Sequence, residues 1–439
     1  MASAPQPFRA DGESRPRLVV VYGHRSLDAM QIREGARDWC DLVWLIDAGD
    51  PSAAALAPLL RRSGPVVDAL GESPQRAAQA LARHAPDGLA TFYDSNMEHV
   101  AAIAAELGLR FHSRETARAL EDKLFQREAL RAAGLPTPAA VAIPAGSEAG
   151  TVQRLGASIG YPAVLKPRRA SGSWHTFPIA DGGALADRWA ELAGGDPEEM
   201  LLEEYLSDGP PMPGGFEADY VSIESVVAPD AITHLAITGR LPTVSPFRET
   251  GFFIPATIPA DRQAELLDLA GQALRGVGFV VGAAHTEIKL TADGPRVIEI
   301  NGRIGGGVPE MLRLAAGADM MRATMRAALG LAPGVAPLPV CQGVAWRFFF
   351  QPPTSARRLE SIEGLDELRR RPGIDSVYLH HPPGTEIDAR DGTRAYLFAV
   401  VGLADDHAGV VAADAFLQTG ITARYTPDVE NTGGVTATR

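Results

Sequence analysis

Four short apolar runs open the chain, at residues 17–23, 42–47, 65–68 and 88–93, the first reading R-L-V-V-V-Y-G. Runs of this length without polar alternation predict strands buried on both faces. Ala- and Leu-rich helical segments separate them, and strands alternating with helices predict a parallel α/β sheet. No G-x-G-x-x-G follows the first run, so a dinucleotide site is weakly supported there. Residues 96–107 read as a helix closed by Gly108, and residues 116–133 as one helix that carries Leu120, Leu124 and Leu130 and stops at Gly134. Further strands are predicted at 161–167, 200–206, 220–227 and 234–239. Residues 240–255 read as an irregular, charged loop, and 261–276 as an amphipathic helix.

The pattern then changes to strict alternation. His285, Glu287 and Lys289 lie on one face of a strand and Thr286, Ile288 and Leu290 on the other. Beyond Ala292-Asp293-Gly294-Pro295, Glu299, Asn301 and Arg303 alternate with Ile298 and Ile300. Side chains in a strand have period 2, and the intervening residues are turn formers, so the pair reads as a hairpin. A turn centred on Asp293 sets Glu287 opposite Glu299 and His285 opposite Asn301. Two carboxylates facing each other across a ladder repel. A hard divalent cation would reverse that term, and two carboxylates with an amide oxygen suit magnesium. The plain alternative is a solvated hairpin face. Against it, Arg303 runs directly into Gly305-Gly306-Gly307 and the helix start Val308-Pro309-Glu310. A glycine-rich turn at a helix N-terminus is an anion site.

Two lysines add to this picture. Lys166 ends the apolar run at 161–167, where burying an ammonium is costly without an anion, and a bound phosphate would supply one. The residues after it, R-R-A-S-G-S-W-H, are small, polar and basic, suited to folding amides over phosphate. Lys123, in the helix at 116–133, reads on its own as a solvated surface lysine. No Walker lysine motif occurs, which excludes the P-loop fold.

Composition sets bounds. A chain of 439 residues predicts about two to four domains of roughly 100–200 residues each. With 46% hydrophobic and 22% charged residues it is an ordinary globular sequence. A net charge of −13 argues against a dedicated nucleic-acid or anionic-membrane binder. Cys40 and Cys341 support neither a disulfide framework nor a cysteine zinc site. The Pro- and Ala-rich residues 1–17 lack the apolar stretch of a signal peptide, no run reaches the roughly 20 residues of a membrane span, and a cytoplasmic location is expected.

The order of parts carries a resemblance. Asp122-Lys123 in a helix, A-G-L-P-T-P, G-Y-P-A-V-L-K-P, the small-residue loop, L-E-E-Y-L, Y-V-S-I-E, H-T-E-I-K-L and I-E-I-N-G-R-I-G-G-G together resemble the ATP-grasp superfamily. The chain is most similar to its carboxylate–amine ligases of the L-amino acid ligase type, over residues 91 to about 336. The resemblance implies an α/β and α+β architecture. A Rossmann-like pre-ATP-grasp domain would occupy residues 1–114, a linker helix and mobile lid 115–205, the sheet domain with the metal site 206–336, and a C-terminal α+β domain 337–439.

It implies roles residue by residue. Lys123 and Lys166 match the lysines on the ATP phosphates, and Ser171, Gly172 and Ser173 the loop that covers them. Glu203, Glu204, Tyr205 and Leu206 match the hinge whose backbone holds adenine. Glu287, Glu299 and Asn301 match the magnesium ligands, two ions being expected, with manganese able to substitute. Arg303 and Lys166 match the catalytic cations, with Gly306 and Gly307 beside Arg303 at the substrate. Glu249 matches an acid that meets a substrate amino group, and His285 faces the same pocket. Relatives often carry E-x-G-H, whereas here Phe252 stands in the last place, which implies a more apolar pocket.

The implied reaction joins a small-molecule carboxylate to an amine, through an acyl phosphate, giving ADP and phosphate. No nucleic acid or membrane partner is expected, and a homodimer is compatible with the reading. A carboxyphosphate-using carboxylase, a non-catalytic nucleotide-binding module and a dinucleotide oxidoreductase are the alternatives. The last rests only on glycines 302–307, whose spacing is wrong.

Overall fold

The computed structural model describes residues 15–23, 27–193, 199–216, 218–229, 231–426 and 429–432. Most of the Pro- and Ala-rich start, and with it part of the expected 1–114 domain, lies outside the described residues. The four opening runs form β1 (Arg17–Val21), β2 (Asp41–Ile46), β3 (Val66–Asp68) and β4 (Gly88–Thr91). They pair in parallel in the order β3-β2-β1-β4, as expected for apolar strands separated by helices. Asp94 stands just beyond the carboxyl end of β4, the edge at which open parallel sheets present ligand-binding groups.

A second, antiparallel sheet consists of β5 (Ala140–Ile143), β6 (Ala163–Pro167), β7 (Phe177–Ile179) and β8 (Met200–Glu204), in the order β5-β8-β6-β7. Its own apolar cluster includes Leu165, Phe177, Leu185, Trp189 and Leu202. The residues that precede it depart from the expected single helix. Arg114–Glu121 and Lys123–Ala132 are separate helices that meet at Asp122, whose backbone is extended (φ −119°, ψ 112°). An Asp competes with the helix by capping. Here its carboxylate accepts from the Leu124 N–H at 3.1 Å and is gripped by Arg168 at 3.1 and 2.7 Å. The break turns Lys123 inward, so it is buried rather than solvated.

The largest sheet has eight strands. It contains β9 (Tyr220–Ala228), β10 (Ala231–Arg240), β11 (Gly251–Ile254), β12 (Gly282–Thr291), β13 (Gly294–Asn301) and β14 (Val344–Phe349). β15 (Arg358–Glu363) belongs to a small sheet with β18 (Thr422–Thr426) and β19 (Val429–Thr432), whereas β16 (Ile374–Leu379) and β17 (Phe398–Ala404) return to the large one. Its order is β13-β12-β9-β10-β11-β14-β17-β16, so strands from beyond residue 337 continue the sheet without a break. β11 departs from the irregular loop expected at 240–255. Its G-F-F-I run is buried on both faces between β10 and β14, so it shows no alternation to mark it as a strand. Residues 241–250 and Pro255 lie outside the strands.

The hairpin is formed by β12 and β13. Glu287 pairs with Glu299 and His285 with Asn301, as the alternation predicts. The turn, however, closes with Thr291 opposite Gly294, one residue short of a turn centred on Asp293. A bulge after Glu287 restores the register, since Ile288 pairs with Val297 and Ile298 is the extra residue. The other face of the hairpin, with Ile288, Val297 and Ile300, packs into one apolar cluster with Leu266, Ala270, Ala273 and Leu274 of helix Ala260–Gly276. Burying this side fixes which residues of the hairpin face outward. No helix among the described residues is long and apolar enough to cross a membrane.

Asp122 carries both a cap and the Arg168 pair. Asp122→Ala should therefore lower stability by about 2–4 kcal/mol, read as a reduced urea midpoint at unchanged slope.

Candidate active site

One cavity of about 930 Å³ gathers side chains from the second and the eight-stranded sheets and from Phe92 and Asp94, just beyond β4. Every site residue expected from sequence lines it: Lys123, Lys166, Ser171, Gly172, Ser173, Glu203, Glu204, Tyr205, Leu206, Glu249, Phe252, His285, Glu287, Glu299, Asn301, Arg303, Gly306 and Gly307.

At one end the lysines converge. Lys123, at the start of its helix, reaches the Ala170 carbonyl and lies 3.0 Å from Glu299 Oε1. Lys166, at the end of β6, is paired with Glu203, which also accepts from Arg127 at 3.1 and 3.2 Å. The anion that Lys166 needs is therefore supplied within the chain by a glutamate of β8. Burial pushes the Glu203 carboxyl up, but Lys166 and Arg127 outweigh it and the net direction is down. Burial also draws the Lys166 ammonium below its ordinary range, against the pull of Glu203. The Glu203 side chain is thus engaged away from any hinge role, which only its backbone could perform.

At the hairpin, Glu287 and Glu299 face each other with Asn301 beside them. The sequence pattern calls for a divalent cation to offset their repulsion. The protein itself supplies much of that charge. Lys123 meets Glu299, His285 Nε2 lies 3.3 Å from Glu287, and the charges of Arg240 and Arg303 also draw Glu287 down. Burial pushes the Glu287 carboxyl up, yet these partners hold it at about 2. Among the described residues no group of three or more His, Cys, Asp and Glu side chains is placed to hold a metal. The donor set is two carboxylates and an amide, all oxygen donors, which fits a hard ion such as magnesium rather than zinc.

His285 is buried, with Nδ1 2.9 Å from both carboxylate oxygens of Glu224. Burial pushes the imidazole down, but Glu224 and Glu287 carry it to about 9. Arg240 Nη2 lies 3.0 Å from His285 Nε2 and donates to Ser222 Oγ at 2.8 Å, while Nη1 meets Glu249 at 2.5 Å. Glu249, expected to face a substrate amino group, is thus already paired with Arg240. Arg303 donates to Asp94 at 2.9 Å and to the Ile304 carbonyl at 3.1 Å. Gly307, left-handed at φ 80°, opens the helix Val308–Ala316 with no side-chain cap, and the Val308 N–H donates back to the Gly305 carbonyl at 3.1 Å.

Phe252 pairs across the sheet with Arg240 on one side and Arg347 on the other. Arg347 lies against Gly307, where a Cβ would come within 2.7 Å of its Nη1, and it pairs with Glu310 at 3.3 Å. Phe92, Ile304, Val308 and Phe349 also line the cavity. Asp94, Glu224 and Arg347 escape a reading of sequence. Asp94 had a usable signal, its place after a parallel strand. Glu224 sits in the alternating run at 220–227, where a polar position carries no sign of its His285 partner, and Arg347 comes from a strand remote in sequence.

The fold is that of solved ATP-grasp ligases. Over 94% of its length the chain superposes on all of an L-amino acid ligase from Bacillus licheniformis, with a TM-score of 0.73 and 18% identity. It also superposes on a biotin carboxylase domain from Hydrogenobacter thermophilus solved with MgADP (TM-score 0.63, 16% identity, 94% of this chain and 92% of that one). In sequence it is 29% identical over 273 residues to the uncharacterised protein y4rH of Sinorhizobium fredii, 61% of this chain and 53% of that protein. It is 31% identical over 191 residues to carnosine synthase 1 of Gallus gallus, 40% of this chain and 20% of that one. Alanine–anticapsin ligase of Bacillus subtilis matches at 26% over 240 residues, 50% and 49%. The chain thus spans about half, or less, of these curated relatives. No protein-family model matches it.

The titrations of the site have a definite sign. With His285 raised, its protonated form adds stability that is full below the unfolded value near 6.5 and is lost as pH climbs through about 9. Glu287, held at about 2, adds stability present above about 4.5 and lost as pH falls towards 2. Urea midpoints measured in chelator should fall between pH 6.5 and 9, and His285→Gln should flatten that slope.

Proposed function

We propose that this chain is an ATP-dependent carboxylate–amine ligase that forms an amide, between amino acids or amino-acid-like molecules, through an acyl phosphate. The observation that carries the reading is one cavity holding two buried lysines, the opposed glutamates with Asn301, and Arg303, with an apolar end at Phe252. Alanine–anticapsin ligase is named for joining alanine to a second molecule, which supports the same reading.

A carboxylate is a poor acylating agent because its leaving group would be oxide. In the proposed first step a carboxylate oxygen attacks the γ-phosphorus of ATP, the bond to the β-phosphate oxygen breaks, and ADP leaves. The amine then attacks the acyl carbon, the C–O bond to phosphate breaks, phosphate departs, and the ammonium proton passes to solvent. The chain has little covalent work to do, so catalysis rests on placing charge where the transferring phosphoryl develops it.

Lys123 and Lys166 would bind the phosphates, and Ser171, Gly172 and Ser173 would cover them. Backbone groups of residues 203–206 would hold adenine. Glu287, Glu299 and Asn301 would hold magnesium, two ions in this reading with manganese as a substitute, neutralising the phosphate oxygens. Arg303, aligned by Asp94, would face the transferred phosphoryl group. Glu249 and Phe252 would face the substrates, as would His285 and the amides at Gly306 and Gly307. Within residues 115–205, the lid that follows the linker helix would exclude water from the acyl phosphate. A cytoplasmic location, where ATP and magnesium are supplied, belongs to the same reading.

Screening pairs of amino acids for ATP-dependent phosphate release, with mass detection of the joined product, tests this. Phosphate release that follows bicarbonate, with no amide formed, would favour a carboxyphosphate enzyme, and no release with any acid would reject the ligase. Glu299→Gln should reduce ADP formation by about 10²-fold or more with the fold retained by far-UV circular dichroism. Arg303→Ala should lower the single-turnover rate far more than nucleotide affinity. Asp94→Asn should fall between that variant and the parent, and equal losses in rate and affinity would count against the assigned role.

A further inference from the structure

Three segments distant in sequence meet at one wall of the cavity: the small-residue loop at 170–175, the loop at 241–250 that carries Glu249, and the 3-10 segment Ala389–Ala395. The Thr393 N–H donates to the Gly172 carbonyl at 2.9 Å, and the His175 N–H to the Arg390 carbonyl at 3.1 Å. Arg394 Nη2 reaches Ser171 Oγ at 3.4 Å. On its other side Thr393 holds the second loop, for its Oγ1 accepts from the Glu249 N–H at 3.1 Å. Gln351 closes the joint by donating to the carbonyls of both Glu249, at 2.8 Å, and Thr393, at 3.0 Å.

Gly392 makes the approach feasible. Its backbone is at φ 65° and ψ −139°, a region that side chains other than glycine avoid. A Cβ there would also lie 2.2 Å from the Gly172 carbonyl oxygen and 2.6 Å from the Ser173 carbonyl carbon. Those are backbone atoms and cannot swing aside, so a larger residue would push the two segments apart.

Thr393 and Arg394 line the same cavity as the lysines and Arg303. We propose that residues 389–396 are a strap in which Thr393 is a positioning residue, tying the loop over the phosphates to the loop at the substrate so that the two order together. The inference rests on the ligase reading above. Gly172, Ser173 and His175 of the loop at 170–175 are all at positive φ, and the loop is held from outside by its hydrogen bonds to Arg390, Thr393 and Arg394. A single threonine that bonds both loops makes closure over nucleotide and ordering around the amine one event, which protects an acyl phosphate until the amine is in place.

The full-length protein would be followed by hydrogen–deuterium exchange at 168–176 and 241–250, with and without MgADP. In the parent chain both segments should gain protection with nucleotide. Gly392→Ala should lose protection in both. Thr393→Val, which keeps the backbone bond to Gly172 but removes the acceptor for Glu249, should lose it at 241–250 alone, and Thr393→Ser should restore it. With a productive substrate pair, phosphate released per amide formed should rise several-fold in Gly392→Ala and Thr393→Val. A parent chain that gains no protection from MgADP would overturn the nucleotide reading itself. A protected parent whose Gly392→Ala and Thr393→Val variants match it in protection and in coupling would overturn the strap alone.

Discussion

Two carboxylates facing each other across a hairpin are the constraint around which the rest is arranged. Glu287 and Glu299 are brought into register by a bulge at Ile298, and the apolar side of the same hairpin is locked against helix Ala260–Gly276. Alone, such a pair would destabilise the sheet by up to about 1 kcal/mol. Lys123, His285, Arg240 and Arg303 surround it, each from a different element, and each is itself paired with a further acid or carbonyl. The site is therefore a charge lattice that stands by its own internal pairing. A polyanion with its metal would enter by exchanging partners within that lattice, rather than by filling an uncompensated hole.

This modifies what the sequence pattern alone conveys. The alternation in the hairpin was legible, because period 2 is a local signal and turn residues mark its end. The register of Glu287 with Glu299 came out as read although the turn closes one residue earlier than expected, since the bulge offsets the difference. The parallel opening sheet was legible for a similar reason, namely apolar runs long enough to be buried on both faces. By contrast, β11 was unreadable as a strand, and residues 116–133 concealed a break because Asp122 is stabilised by Arg168 and Arg169, whose positions only folding decides.

Pairings between remote segments were the least legible. A buried lysine at the end of β6 was correctly a sign of a nearby anion, yet that anion is the Glu203 carboxylate. Arg240, Phe252 and Arg347 form a row across three strands whose members are separated by loops and helices, so no window of sequence contains it. Asp94, by its place after β4, was accessible to reasoning from topology but not from motif.

β11 takes hydrogen bonds from β10 on one side and β14 on the other, so the wall bearing Phe252 is woven from stretches about a hundred residues apart in the chain. Removing the last quarter of the protein would leave β11 as a raw edge and strip Trp346 from Phe253, exposing a template for association with other chains. Anyone transplanting this wall into a related scaffold would have to move both stretches together, since neither holds its shape without the other.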